Sequence, residues 1–526
     1  MSRPTHPIAL MARLLLAFSL AFGATAAATA APAGEVAWLS AGADADVDRA
    51  FAQAKAENKP LLLYWGAKWC PPCNQLKATL FNRQDFIERS RAFVPVYVDG
   101  DLPGAQKLGT RFKVRGYPTL ILFNPEGAEI TRLPGEVDAP QVMQVLQLGL
   151  AGGRPVKAVL ADAKAGKPLT PNEWRLLAYY SWETDEAQLA PEADRAGLLV
   201  SLAVTCPAQE AEVATRLWLK ALAASDEAQG VKADAALRER VSKVLADPAA
   251  SRAQMDVLTN SAAEIVRAIT TKEAGGQRAA VLSAYTKALQ RLEADTTLSR
   301  ADRMGALVAQ IDLARIDLPK DAKAVKLPAP LLKDVRAQVA RADREITDGY
   351  ERQAVVTGGA YALSLAGLGA ESDALLKANL AKSHSPYYLM SSLASNAKAR
   401  GDKAEALRWY EAAFNKSEGP ATRLQWGASY VSALVELAPQ DAPRIERAAS
   451  QLIVEAAAQP NGFYERSARS LQRAGKKLQT WNSAGAHAET IKRLQSQLTP
   501  VCAKLPTDDP QRATCDALLR GKADLD

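Results

Sequence analysis

The chain has 526 residues, 48% hydrophobic, 23% charged and only 6% aromatic; that length exceeds one ordinary core, so two or more domains are expected, and the heavy use of alanine favours helix over sheet. The formal charge of +7 is dispersed, with no Lys/Arg block and no interleaved aromatic stripe, which sets nucleic acid aside as a partner. Of three histidines, His6 lies in the N-terminal segment and His384 and His487 stand alone, so neither a metal site nor a Cys-His pair is expected.

Residues 1–30 carry Arg3 and Arg13, no acid, an apolar run from Leu14 to Phe22 and then Ala28-Thr29-Ala30. This is the layout of a secretory signal peptide, because the apolar run is shorter than the ~20 residues that span a bilayer. The mature protein is expected in an oxidising compartment, best a bacterial periplasm, with no membrane span.

Asp44–Glu57 reads as a helix with Val47, Ala50, Phe51 and Ala54 on one face, stopped by Lys59-Pro60. Residues 61–65 form a continuous apolar run, as in a strand covered on both faces, leading into Gly66-Ala67-Lys68-Trp69-Cys70. Residues 74–82 read as helix, 93–99 as strand, 104–112 as helix and 119–124 as strand. Then Asn124-Pro125-Glu126-Gly127 supplies a turn, Glu129–Leu133 a last strand and Ala139–Leu150 a closing helix.

Gly152-Gly153-Arg154-Pro155 marks a boundary, and residues 155–526 read as one helix after another. Thr170-Pro171-Asn172-Glu173 is a capping box with proline at the first helical position. Leu327-Pro328-Ala329-Pro330 is a loop or subdomain break. Ser385-Pro386 opens a helix that Gly401 ends, and Asp402 starts the next. Around 360–420 the chain resembles a tetratricopeptide repeat, with Tyr410, Ala413 and Phe414 on a packing face and a weaker copy at Gly367-Leu368-Gly369 and Ala374-Leu375. A generic α-hairpin solenoid stays open beside it; both imply stacked helix pairs and a groove that takes a protein partner.

The five cysteines fall into Cys70 with Cys73, Cys206 alone, and Cys502 with Cys515. A cysteine pair two residues apart at a helix N-terminus places the first sulfur against unpaired N–H groups and the positive end of the dipole. Cys70 is therefore the nucleophile and Cys73, one turn inside, resolves the mixed disulfide. A plain staple or half of a zinc site are the alternatives; the second lacks a further ligand pair, and the first leaves Trp69 and Tyr117-Pro118 without a purpose. Cys502 and Cys515 read as a structural disulfide across a loop between helices, and Cys206 as a buried core thiol.

Trp69-Cys70-x-x-Cys73 after a buried strand, Gly116-Tyr117-Pro118-Thr119 at the start of another, and the Pro-Glu-Gly hairpin together resemble the thioredoxin superfamily over residues 35–150. Within it, Trp65-Gly66-Ala67-Lys68-Trp69-Cys70 and Leu80-Phe81 are most similar to the periplasmic, electron-delivering thioredoxin-like domains of membrane-linked disulfide reductases. The resemblance implies a thioredoxin-like α/β domain ahead of the helical region and a cis peptide bond before Pro118. It implies a substrate surface made by Trp69, Tyr117 and Pro118, with Trp65 either shaping that surface or packing in the core. The implied activity is thiol-disulfide exchange on protein clients, supplied by a redox donor or acceptor, with no cofactor beyond the Cys70–Cys73 couple. Pro71 and Pro72 add no charge beside the sulfur, which leans toward reduction. Tyr64 stands where the superfamily keeps a buried acid, so the proton of Cys73 must go to water, Lys68 or a carboxylate from elsewhere. The rival reading is a helical scaffold or chaperone-like binding protein that carries the thioredoxin-like unit only for docking.

Overall fold

The structure is a computed structural model that describes residues 34–135, 138–225, 230–272, 275–319 and 326–520; the expected signal segment, 1–30, lies outside the described residues. Five strands, β1 (Leu39–Ser40), β2 (Leu61–Gly66), β3 (Val94–Asp99), β4 (Thr119–Phe123) and β5 (Glu129–Leu133), form one sheet in the order β1-β3-β2-β4-β5. β2 runs parallel to β3, with Leu61 opposite Val94, and antiparallel to β4, with Trp65 opposite Thr119. Around it lie α1 (Asp44–Glu57), α2 (Pro71–Leu76), α3 (Gln84–Arg89), α4 (Ala105–Phe112) and α5 (Ala139–Leu150).

β2 is buried at every position because both faces of the sheet are covered. Alternation splits its side chains. Leu61, Leu63 and Trp65 join Val47, Ala50 and Ala54 of α1 and Leu108 of α4 in one core. Leu62 and Tyr64 face the other way, into a core with Cys70, Cys73, Leu76 and Val142. Trp65 is thus a core residue of the sheet face opposite the cysteines. Two elements escaped the sequence reading, β1 and α3, at 2 and 6 residues too short for a periodic signal. The helix expected over 74–82 begins earlier, at Pro71, and its last turn, Lys77–Phe81, is π-helical.

After β5 the described chain is all helical. The helices α6 (Val156–Lys164), α7 (Pro171–Ala178), α8 (Arg195–Thr205) and α9 (Ala211–Ala223) continue the core that holds the cysteines, through Leu160, Trp174, Leu177, Leu202 and Leu217. The capping box opens α7: Glu173 N–H donates to Thr170 Oγ1 at 3.3 Å, and Thr170 N–H to Glu173 Oε2 at 2.8 Å. An outer arm follows, with α10 (Ala235–Ala246), α11 (Pro248–Ala253), α12 (Met255–Asn260), α13 (Ala262–Ile269), α14 (Gly275–Ala294), α15 (Arg300–Ala314) and α16 (Ala329–Glu345). The chain then returns through α17 (Gly349–Leu365), α18 (Gly369–Asn379), α19 (Pro386–Arg400), α20 (Lys403–Lys416), α21 (Pro420–Leu437), α22 (Ala442–Ala457), α23 (Glu465–Trp481), α24 (Ala488–Ala503) and α25 (Pro510–Ala517). The turns that close α17–α18 and α19–α20 place Gly367 at φ 79° and Gly401 at φ 82°, a backbone region that favours glycine. Among the described residues no helix is long and apolar enough to cross a membrane.

Candidate active site

β2 ends at Gly66, and four residues later Cys70 is the N-cap of α2, with extended backbone (φ −67°, ψ 116°). Its sulfur accepts the Cys73 N–H at 3.2 Å. Pro71 and Pro72 fill the first two helical positions, which suits their fixed φ but removes two N–H groups that could have faced the sulfur. The Cys73 amide is therefore the backbone donor left to a Cys70 thiolate, together with the helix dipole. Cys70 and Cys73 are joined by a disulfide with Cα atoms 5.2 Å apart. Asn74, fully buried, donates through Nδ2 to the carbonyls of Lys68 (2.9 Å) and Cys70 (2.8 Å) and so fixes the loop that carries the motif.

The Tyr117–Pro118 bond is cis. Gly135 lies so close behind that a Cβ there would sit 2.9 Å from Pro118 Cγ. The Tyr117 ring stacks on Trp65 at 6.1 Å, meets Trp69 edge-on at 6.2 Å, and its hydroxyl accepts from Gln106 Nε2 at 3.0 Å. Gly100 is a close-approach position, since a Cβ there would fall 2.1 Å from that hydroxyl.

Beneath the motif, Tyr64 is packed among Trp38 (5.7 Å), Phe81 (4.8 Å) and Tyr97 (5.1 Å). Its hydroxyl is buried without a hydrogen-bond partner. Burial first, then the nearby Asp99 carboxylate, pushes this phenol well above its ordinary pKa, so it stays neutral and cannot serve as a base.

The motif is covered from above by the returning helices. Cys70 is 2% exposed and Cys73 0%. The Trp69 ring stacks on Tyr388 of α19 at 5.9 Å, meets Trp426 of α21 edge-on at 5.1 Å, and lies 5.0 Å from the Arg466 guanidinium of α23. Its Nε1 donates to Thr422 Oγ1 at 2.9 Å. Three backbone carbonyls bordering the site pair with side chains of the same helical region. Gln353 Nε2 donates to Trp69 O at 3.2 Å, His384 Nε2 pairs with Lys68 O at 3.1 Å, and Arg469 Nη2 donates to Arg115 O at 3.2 Å. Burial lowers the His384 pKa.

Trp69, Cys70, Cys73, Tyr117 and Pro118 are thus brought together in one place. Cys502 and Cys515 form a second disulfide elsewhere, between α24 and α25, with Cα atoms 5.5 Å apart. Cys206 is a free, buried thiol whose pKa burial pushes up to about 11. Asn74, Asp101, Gln353, His384, Tyr388, Thr422, Trp426 and Arg466 had no motif to announce them; rare aromatics inside Ala-rich helices were the only hint for Tyr388 and Trp426. No group of three or more His, Cys, Asp or Glu side chains suited to a metal occurs among the described residues.

A mixed sheet with a helix-capping Cys-x-x-Cys and a cis Tyr117–Pro118 bond defines residues 47–149 as a thioredoxin-like domain, the family that matches this span. Over about a fifth of its length the chain is similar to thiol:disulfide interchange proteins. It is 36% identical over 107 residues to DsbD 2 of Pseudomonas aeruginosa, covering 20% of this chain and 18% of that protein. DsbD of Yersinia pestis is 33% identical over 99 residues, 18% of this chain and 16% of the relative, and DsbD of Cronobacter sakazakii 34% over 99, 18% and 17%. The chain spans under a fifth of these relatives' own length, and the likeness covers no more than 20% of this chain.

Proposed function

We propose that this protein is a periplasmic thiol-disulfide oxidoreductase that reduces protein disulfides through Cys70 and Cys73. The observation that carries the reading is the Cys70 sulfur at the N-terminus of α2, bonded to Cys73, with the neighbouring Trp69 ring against Tyr117 of the cis Tyr117–Pro118 bond. The names of the DsbD relatives, thiol:disulfide interchange proteins, support it for the matched domain.

In the reduced form, Cys70 thiolate attacks one sulfur of a client disulfide; a new S–S bond joins the client to Cys70 as the client bond breaks, and the other client sulfur departs as a thiolate that takes up a proton. Cys73, deprotonated, then attacks Cys70 Sγ, releases the second client thiolate and closes the Cys70–Cys73 disulfide. The client has gained two electrons, and a dithiol donor must return them to the enzyme. Trp69 and the Tyr117 backbone form the surface along which an extended client segment lies, in the manner of an added strand. Because Tyr64 is neutral, the Cys73 proton passes to water or to a group other than the phenol. No cofactor besides the couple enters, and the export signal read in residues 1–30 supports the compartment. The helical region selects the client.

The test is turnover of insulin disulfides with dithiothreitol as donor. Activity above the dithiothreitol background that vanishes in Cys70→Ser supports the reading; activity that survives Cys70→Ser overturns it.

A further inference from the structure

The surface a client would need is already taken, and by this chain. Trp69 is sandwiched by Tyr388, Trp426 and Arg466, while the carbonyls of Lys68, Trp69 and Arg115 pair with His384, Gln353 and Arg469. Cys70 is 2% exposed and α17 packs on α2, which carries it, so little of its sulfur is left open to in-line approach by a client.

The contact has a definite latch. α21 begins at Pro420 after Gly419, which has no side chain to cap the helix. Asp101, from the loop after β3, supplies the cap: its carboxylate accepts the Thr422 N–H at 2.7 Å and the Thr422 hydroxyl at 2.6 Å. Arg466 of α23 adds an ion pair to Asp101 at 3.4 Å. Gly419, at φ 86°, is also a close-approach position, since a Cβ there would stand 2.6 Å from Asp101 Cβ. Thr110 Oγ1 and Arg469 Nη1 hold Glu465, each at 2.8 Å, at the start of α23. Glu465 keeps φ 43°, a left-handed conformation that a side chain adopts only when its surroundings hold it there.

We infer that the helices α17, α19, α21 and α23 form an intramolecular gate over the Cys70–Cys73 site, latched by Asp101 on Thr422 and Arg466, and that protein disulfides reach Cys70 only when this face lifts. The inference rests on the oxidoreductase reading and adds its regulation. The helical face that covers Trp69 is then the surface a client or activating partner must displace. The dithiol would be kept from indiscriminate exchange until that partner engages.

The test uses the full chain, reduced, with Asp101→Ala and Thr422→Val; neither residue belongs to the dithiol machinery, and far-UV circular dichroism and cooperative unfolding check the fold. Two rates are read, alkylation of Cys70 by iodoacetamide and consumption of insulin disulfides. Loss of the carboxylate cap in Asp101→Ala is expected to raise both about tenfold over wild type, and loss of the hydroxyl donor in Thr422→Val to raise both by a smaller factor. Should either variant fail to fold, wild type alone still decides: Cys70 alkylation at least about tenfold slower in the native than in the urea-unfolded chain supports the gate, and equal rates overturn it. Insulin reduced by wild type as fast as by both folded variants sinks the gate and leaves the oxidoreductase reading standing. Variants that alkylate faster yet consume no disulfide support the gate and sink the oxidoreductase reading.

Discussion

Tyr64→Phe separates two roles for the residue beneath the cysteines. The ring contributes packing against Trp38, Phe81 and Tyr97, which phenylalanine keeps. The hydroxyl is buried with no partner, so folding strips it of water and returns no hydrogen bond, at a cost of ~1–3 kcal/mol. Removing one oxygen leaves a void smaller than a methyl group, and the net expectation is stabilisation by about 1 kcal/mol. Because burial keeps the phenol protonated at every working pH, insulin reduction and its pH profile should match wild type. Urea unfolding and the insulin assay measure the two halves. Destabilisation by more than about 1 kcal/mol would show that the hydroxyl is satisfied, and a tenfold loss of turnover would show that it handles the Cys73 proton.

Arg216, fully buried, donates to both oxygens of Asp256 at 2.9 and 2.6 Å and ties the core that holds the cysteines to the outer arm. Asp256→Ala should cost ~3–5 kcal/mol in urea unfolding by stranding that charge, and adding Arg216→Met should restore most of it. Replacing Cys502 and Cys515 together by serine opens a closure between cysteines 13 apart and should cost about 3 kcal/mol without altering insulin reduction. Glu293, buried beside Asp334 with Gln310 donating to it at 2.7 Å, has its pKa pushed from 4.5 up to about 7, chiefly by burial. Its folded pKa lies above the unfolded one, so its contribution is complete below about pH 4.5 and is lost as pH rises through about 7. Glu293→Gln should flatten that decline in denaturation midpoints between those limits and exceed wild type in stability at pH 8.

The redox domain was legible because its signals are local: an apolar run for β2, cysteines at a helix start, a Pro-Glu-Gly turn. Helix punctuation was equally plain at Thr170, where a capping box acts, at Ser385-Pro386, where proline opens the helix, and at Gly401, which takes positive φ. What could not be read was where the helical region goes. Thr422 and Arg466 meet Trp69 across more than three hundred residues, through contacts that neither periodicity nor a motif encodes. Trp69, expected to meet clients, is instead in contact with α17, α19, α21 and α23. Trp65 points away from the cysteines because side chains alternate along β2, a consequence the run of apolar residues concealed.

The most direct measurement of dithiol chemistry is a trap. Cys73→Ser removes the resolving sulfur, so a client disulfide attacked by Cys70 should remain as a mixed disulfide. Incubated with oxidised insulin and quenched in acid, the variant is predicted to carry an insulin chain linked to Cys70 by peptide mass mapping, released by dithiothreitol and absent when Cys70 is also replaced by serine. A Cys73→Ser variant that also carries Asp101→Ala and still holds no insulin on Cys70, or holds it on Cys206 instead, would contradict the account.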